Sequence, residues 1–87
     1  MTYQEDIRNA ILAKKHVFGP RVTIKKLRSK HIAKIYLAKN INPVTEQDIQ
    51  YYATISGTPV EKLSISNEEL SVICKRPHLI NVVAIQV

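Results

Sequence analysis

The stretch GPRVTIKKLRSK, residues 19–30, holds the side chains of this protein best suited to gripping an anion. Gly19 can open the backbone ahead of a helix, and Pro20 suits the first helical position, where a missing N–H costs nothing. A helix that begins there leaves free N–H groups and the positive end of its dipole at Arg21. Lys25 and Arg28, four and seven residues on, carry the charge along one face, with Lys26 beside them. Ile24, Leu27 and His31 fall on the adjoining face and are predicted to turn inward. The chemistry on offer is phosphate binding. A nucleotide P-loop is excluded, because no second glycine precedes a Lys-Ser/Thr pair. The competing reading is plainer: Gly19-Pro20 only starts a helix, and the lysines keep its face soluble.

Other reactive side chains do not assemble into a site. His16, His31 and His78 are far apart, and no His/Cys pair has the spacing of metal ligands, so neither a metal nor a cofactor is assigned. Glu68 and Glu69 are adjacent on a predicted helix and so point in different directions. With Ser66 they are explained by capping and by the helix dipole rather than by acid-base catalysis. Cys74 sits among Leu70, Val72 and Ile73, as a small apolar core residue would. Tyr51 and Tyr52, with Ile49 and Ile55 nearby, place at least one tyrosine in the core. No catalytic constellation emerges, and the expectation is a protein that is not an enzyme and takes no small-molecule substrate.

A chain of 87 residues has room for one small domain and little room for a deep cleft. With apolar residues at 45% and only two glycines, it should pack rather than remain disordered. No apolar run approaches a membrane span, and MTYQEDIRNA has no signal-peptide pattern, so no membrane partner is expected. One cysteine allows no internal disulfide, which favours the cytoplasm. The net charge of +6 is unevenly placed: residues 1–43 hold ten Lys/Arg against Glu5 and Asp6, while residues 44–87 hold three against five acids. A field polarised in this way draws polyanions, of which nucleic acid is the commonest.

The elements that would position these residues alternate regularly. Thr2 is a candidate N-cap for a helix with Tyr3, Ile7, Ala10 and Ile11 on one side. HVFG reads as a short strand leading into the basic helix at about 20–30. AKIYLAKN reads as a strand and INPVT as a turn. Thr45 and Asp48 suggest a capped helix start, with Gly57 as its stop. PVEKL is a short strand, Ser66 and Glu69 form a capping box for a helix through Cys74, and Pro77 bars its extension. NVVAIQV, apolar on both faces, should be a central strand. The order αβαβαβαβ predicts a three-layer α/β/α sandwich with a mixed sheet of about four strands, in which helix starts and strand ends share one edge.

The series GPRVTIKKL, AKIYLAKN, DIQYYATISGTPV, NEEL and KRPHLINVVAI resembles the family of ribosomal protein L-thirty-e and its relative L-seven-Ae, which bind kink-turn and related RNA. The resemblance covers roughly residues 17–87. DIQYYATISGTPV is similar to the D-I-x-Y-Y-x-x-L-S-x-x-P-V of the L-thirty-e branch, and NEEL followed by RPH also matches that branch. It implies an RNA-binding domain of the large ribosomal subunit, with ribosomal RNA and neighbouring ribosomal proteins as partners, in an archaeal or eukaryotic cytoplasm; the archaeal branch fits better. The family signature Gly-x-Asn-Glu-x-x-Lys is met at Gly19 and Lys25. Arg21 and Val22 stand where the Asn-Glu pair would be. Arg21 can still meet a phosphate or a guanine edge, whereas Val22 accepts no hydrogen bond.

The resemblance further implies that the loop KRPHLI lies beside the start of the basic helix and touches unstacked nucleotides. Lys75 and Arg76 would bind phosphate, His78 would stack on a base, and Leu79 or Ile80 would supply an apolar contact. Ile80 has a competing place in the strand core. Lys39 and Asn40, in the turn KNIN, would add a phosphate and a sugar or base contact. The alternative function is a protein-interaction or regulatory module on the same fold with weak RNA binding.

Overall fold

The structure is a computed structural model that describes residues 3–87, so the expected cap at Thr2 lies outside the described residues. Helix α1 (Tyr3–Leu12) buries Ile7 and Ala10 and half-buries Tyr3 and Ile11, which is the side its apolar spacing picks out. Strand β1 (His16–Phe18) leads to helix α2 (Pro20–Arg28), which begins as expected at Gly19-Pro20. Its inner face differs from the prediction. Thr23 is fully buried, with its hydroxyl donating to the Gly19 carbonyl at 2.7 Å, whereas His31 lies beyond the helix and is exposed. A threonine can enter the core because that bond satisfies its hydroxyl.

Strand β2 (Ile32–Leu37) is followed by helix α3 (Pro43–Ser56). The helix starts two residues before the predicted Thr45: Asn42 accepts the Val44 N–H at 2.8 Å, and Pro43 takes the first helical position. Strand β3 (Val60–Lys62) precedes helix α4 (Asn67–Ile73), where the Ser66 hydroxyl accepts the Glu69 N–H at 3.3 Å. The last strand, β4 (Val82–Gln86), is central, as its two apolar faces require.

The sheet order is β1-β4-β2-β3. β4 runs antiparallel to both neighbours, pairing Val17 with Ala84 on one side and Ile35 with Ala84 on the other, and β3 runs parallel to β2. Leu27 from α2 and Ile49 and Ala53 from α3 pack against Ile35, Leu37 and Val82 on one face. Ile7 from α1 and Leu70 and Cys74 from α4 pack against Tyr36 and Val83 on the other. This is the expected three-layer sandwich with a mixed sheet of four strands.

Because β1, β2 and β3 run parallel, the helices that precede them all start at one sheet edge, called upper below, and end at the other. Helix α4 follows the same polarity, since Asn67 is tied to that upper edge through Asn40 and Asn81. All four helices stop in the same way. A left-handed residue donates three residues back and the next residue five back: Lys14 to Ile11 and Lys15 to Ala10, Lys30 to Leu27 and His31 to Lys26, Gly57 to Thr54 and Thr58 to Ala53, Lys75 to Val72 and Arg76 to Ser71. The left-handed residue is glycine once and lysine three times, with φ of 58° at Lys14, 58° at Lys30 and 55° at Lys75. For an L-residue that backbone region costs roughly 1–2 kcal/mol.

Candidate nucleic-acid interface

The upper edge is assembled from three segments. The first is the start of α2. Gly19 takes φ 96° and donates its N–H to Val82 at 3.2 Å, which docks the turn against the top of β4. No side chain caps this helix, whereas Asn42 caps α3 and Ser66 caps α4. The N–H groups of Arg21 and Val22 therefore remain available to an outside acceptor at the positive end of the dipole. Both side chains are exposed, Val22 by 47%.

The second segment is the turn after β2. Lys39 is exposed and its N–H donates to Ile65 at 2.7 Å. Asn40 is engaged locally: its Oδ1 accepts the Asn67 N–H at 2.9 Å, and its Nδ2 donates to Asn67 Oδ1 at 3.1 Å. Asn67 Nδ2 then donates to Asn81 Oδ1 at 3.0 Å. The three side-chain amides link the turn, the start of α4 and the end of the following loop, so Asn40 holds Lys39 in place. Sequence reasoning missed Asn67 and Asn81. Their partners lie 27 and 14 residues away, and no local pattern carries that information.

The third segment is the tip of the loop between α4 and β4. His78 and Leu79 are exposed, Leu79 by 57%, while Ile80 is buried against Leu70 and Val83. The two apolar candidates are thereby separated, since only Leu79 is free to meet a ligand. Val22, next to Arg21 in the chain, and Leu79 are both exposed apolar side chains. Glu68 and Glu69 open α4 at the same edge, on the opposite face of the sheet from α2.

The remaining predicted residues are not brought to this place. Lys25 is exposed and lies about one turn below the start of α2, and Lys26 is half-buried. Arg28 is eight residues from Pro20, about 12 Å along the axis, and sits at the lower edge. Lys75 follows the lower end of α4. Arg76 folds back over the Phe18 ring, 5.0 Å from its centroid, with Nη2 3.3 Å from His16 Nε2. The loop starts below, where α4 ends, and is back at the upper edge by Asn81, whose carbonyl accepts the Ala38 N–H at 2.9 Å.

The arrangement suits an extended polar ligand. A cavity of about 510 Å³ between α1 and α4 has Ile11, Leu12 and Val72 among its lining residues and lies on the opposite face of the sheet from α2. Cys74, which also lines it, is buried, and burial pushes its thiol up to about 11, the behaviour of an inert core residue. Among the described residues no three His, Cys, Asp or Glu groups could hold a metal ion.

Known proteins resemble this chain in sequence and in fold. The Large ribosomal subunit protein eL30 of Methanocaldococcus jannaschii is 34% identical over 77 residues, covering 88% of this chain and 70% of the relative. The eL30 protein of Pyrobaculum calidifontis is 32% identical over 80 residues, covering 92% of this chain and 79% of the relative. Among solved structures, a Bacillus halodurans protein of unknown function superposes with a TM-score of 0.85 at 14% identity, over 93% of this chain and 80% of its own. The Giardia lamblia 15.5kD RNA binding protein gives 0.80 at 13% identity, over 93% of this chain and 68% of its own. The family described as Ribosomal protein L7Ae/L30e/S12e/Gadd45 matches residues 1–87, and the chain belongs to it.

Proposed function

We propose that this protein binds structured ribosomal RNA as a component of the large ribosomal subunit in the cytoplasm, with neighbouring ribosomal proteins as partners, and that it is not an enzyme. The observation that carries this reading is the meeting, at one sheet edge, of an uncapped helix start bearing Arg21, the Lys39 turn and the exposed His78-Leu79 tip. Support comes from the archaeal eL30 relatives and from the Giardia protein, which is described as binding RNA.

Phosphate would sit on the α2 N–H groups and Arg21. His78 and Leu79 would pack on bases freed from the stack by a kink or an internal loop. Val22 in place of an acceptor shifts the expected recognition from base-edge hydrogen bonds toward base faces and backbone shape. Fluorescence anisotropy with a kink-turn RNA and an uninterrupted duplex, each over a salt series, tests the reading. The wild type should prefer the kinked RNA and lose affinity steeply as salt rises. Arg21→Ala should lower the salt slope by about one. Paired His78→Ala and Leu79→Ala changes should cost about 1–3 kcal/mol on the kinked RNA and little on the duplex. Equal wild-type affinity for the two RNAs would falsify the proposal.

A further inference from the structure

The lower edge of the sheet collects a second set of positive charges. The turn after α1 carries Lys14 and Lys15, the turn after α2 carries Lys30 and His31 just past Arg28, and Lys75 follows α4. The first two turns flank the end of β4, where Gln86 N–H donates to Lys15 at 2.8 Å and Val87 N–H to His31 at 2.9 Å. Only one strand separates β1 from β2, so these turns stand about 10 Å apart. Lys75 is joined to the group through Leu12, with which it lines the cavity between α1 and α4.

None of Lys14, Lys15, Arg28, Lys30 or Lys75 takes part in either ion pair of the described residues, which are Lys34 with Glu61 and Lys62 with Glu46. Three of these lysines occupy left-handed positions where a helix stop usually carries glycine. Gly57 shows that the fold accepts glycine in the same motif. Lysine at a helix end also complements the dipole, but that needs no side chain at the strained position itself, because a basic residue in the last turn serves equally. Arg28 already does so for α2.

We propose that this lower edge is a second RNA-binding surface, taking the phosphate backbone of a separate RNA segment, so that the protein bridges two segments across its 23–30 Å body. The lysine ammoniums, carried on the turns of three helices, would meet phosphates of one A-form strand without reading its bases. This extends the RNA reading above and rests on it.

The test uses a kink-turn RNA, immobilised and saturated with protein, and a labelled plain duplex as the second segment. Wild type should capture the duplex. A triple Lys14→Gly, Lys30→Gly, Lys75→Gly variant should bind the kink-turn RNA within about twofold of wild type, while duplex capture falls about tenfold or more and its salt slope drops by roughly two to three. Its Tm should be unchanged or higher, because glycine relieves the left-handed strain. If wild type binds the kink-turn RNA but never captures duplex, or if the triple variant captures it undiminished, the second surface does not exist. A variant that loses stability but not capture assigns the lysines to the helix dipoles alone and likewise overturns the proposal. If neither RNA binds wild type, the RNA reading itself is wrong, and the bridge with it.

Discussion

Tyr36 is the largest fully enclosed side chain among the described residues, and its hydroxyl donates to Asp6 Oδ2 at 2.7 Å, joining α1 to the upper end of β2. Asp6 is only half-buried, so it regains water when the bond is lost. Tyr36→Phe should therefore cost about 1 kcal/mol. For a domain of this size, a thermal melt should show the midpoint falling by about 4–8 °C. At this scale the sequence was informative wherever a property belongs to one residue. Arg21 stands out by its charge at a helix start, whereas His78 and Leu79 are singled out by the family resemblance of their loop; all three are exposed. The choice between Leu79 and Ile80 needed the fold, because both are apolar and only the start of β4 determines which one turns inward.

Elements were legible where their punctuation is local. Gly19-Pro20, Ser66 with Glu69, and Gly57 each mark a boundary through their own conformational preferences, and each stands where it was predicted. The helix ends near residue 30 and at Cys74 are legible, but the left-handed turns at Lys14, Lys30 and Lys75 are not, since lysine favours helix continuation and only the packed sheet imposes such a turn. Arg28 is grouped with the upper edge by its helical spacing from Arg21, and Lys75 by the family resemblance of its loop; neither reason contains the length that separates the two ends of a helix. The asparagine chain was equally hidden, and it makes a prediction of its own. Asn67→Ala removes the acceptor for Asn40 Nδ2 and the donor to Asn81, and should destabilise by about 1 kcal/mol. Hydrogen exchange should show faster amide exchange at Lys39, which depends on this corner, while the β2–β4 ladder keeps its protection.

For the whole molecule, layer order and the central place of β4 followed from hydrophobic pattern, because a strand apolar on both sides has only one place in a two-faced sheet. High pH should act on the core as a unit. Burial, followed by the Asp6 hydrogen bond, raises the Tyr36 phenol above its ordinary 10.0, and burial carries the Cys74 thiol from 9.0 to about 11. The unfolded chain thus releases these protons first. Stability contributed by the neutral groups is intact below about pH 9 and is lost progressively as pH rises through the folded values. Urea midpoints should therefore fall between pH 8 and about pH 11, less steeply in Cys74→Ala.

The sheet's borders have their own consequence. Both outer strands are three residues long, and on β3 the side chains of Glu61 and Lys62 are each drawn into an ion pair. Margins this short, one of them charged, offer a second chain little template for zipping main chain to main chain. Copies made in excess of their RNA should consequently stay dispersed rather than polymerise.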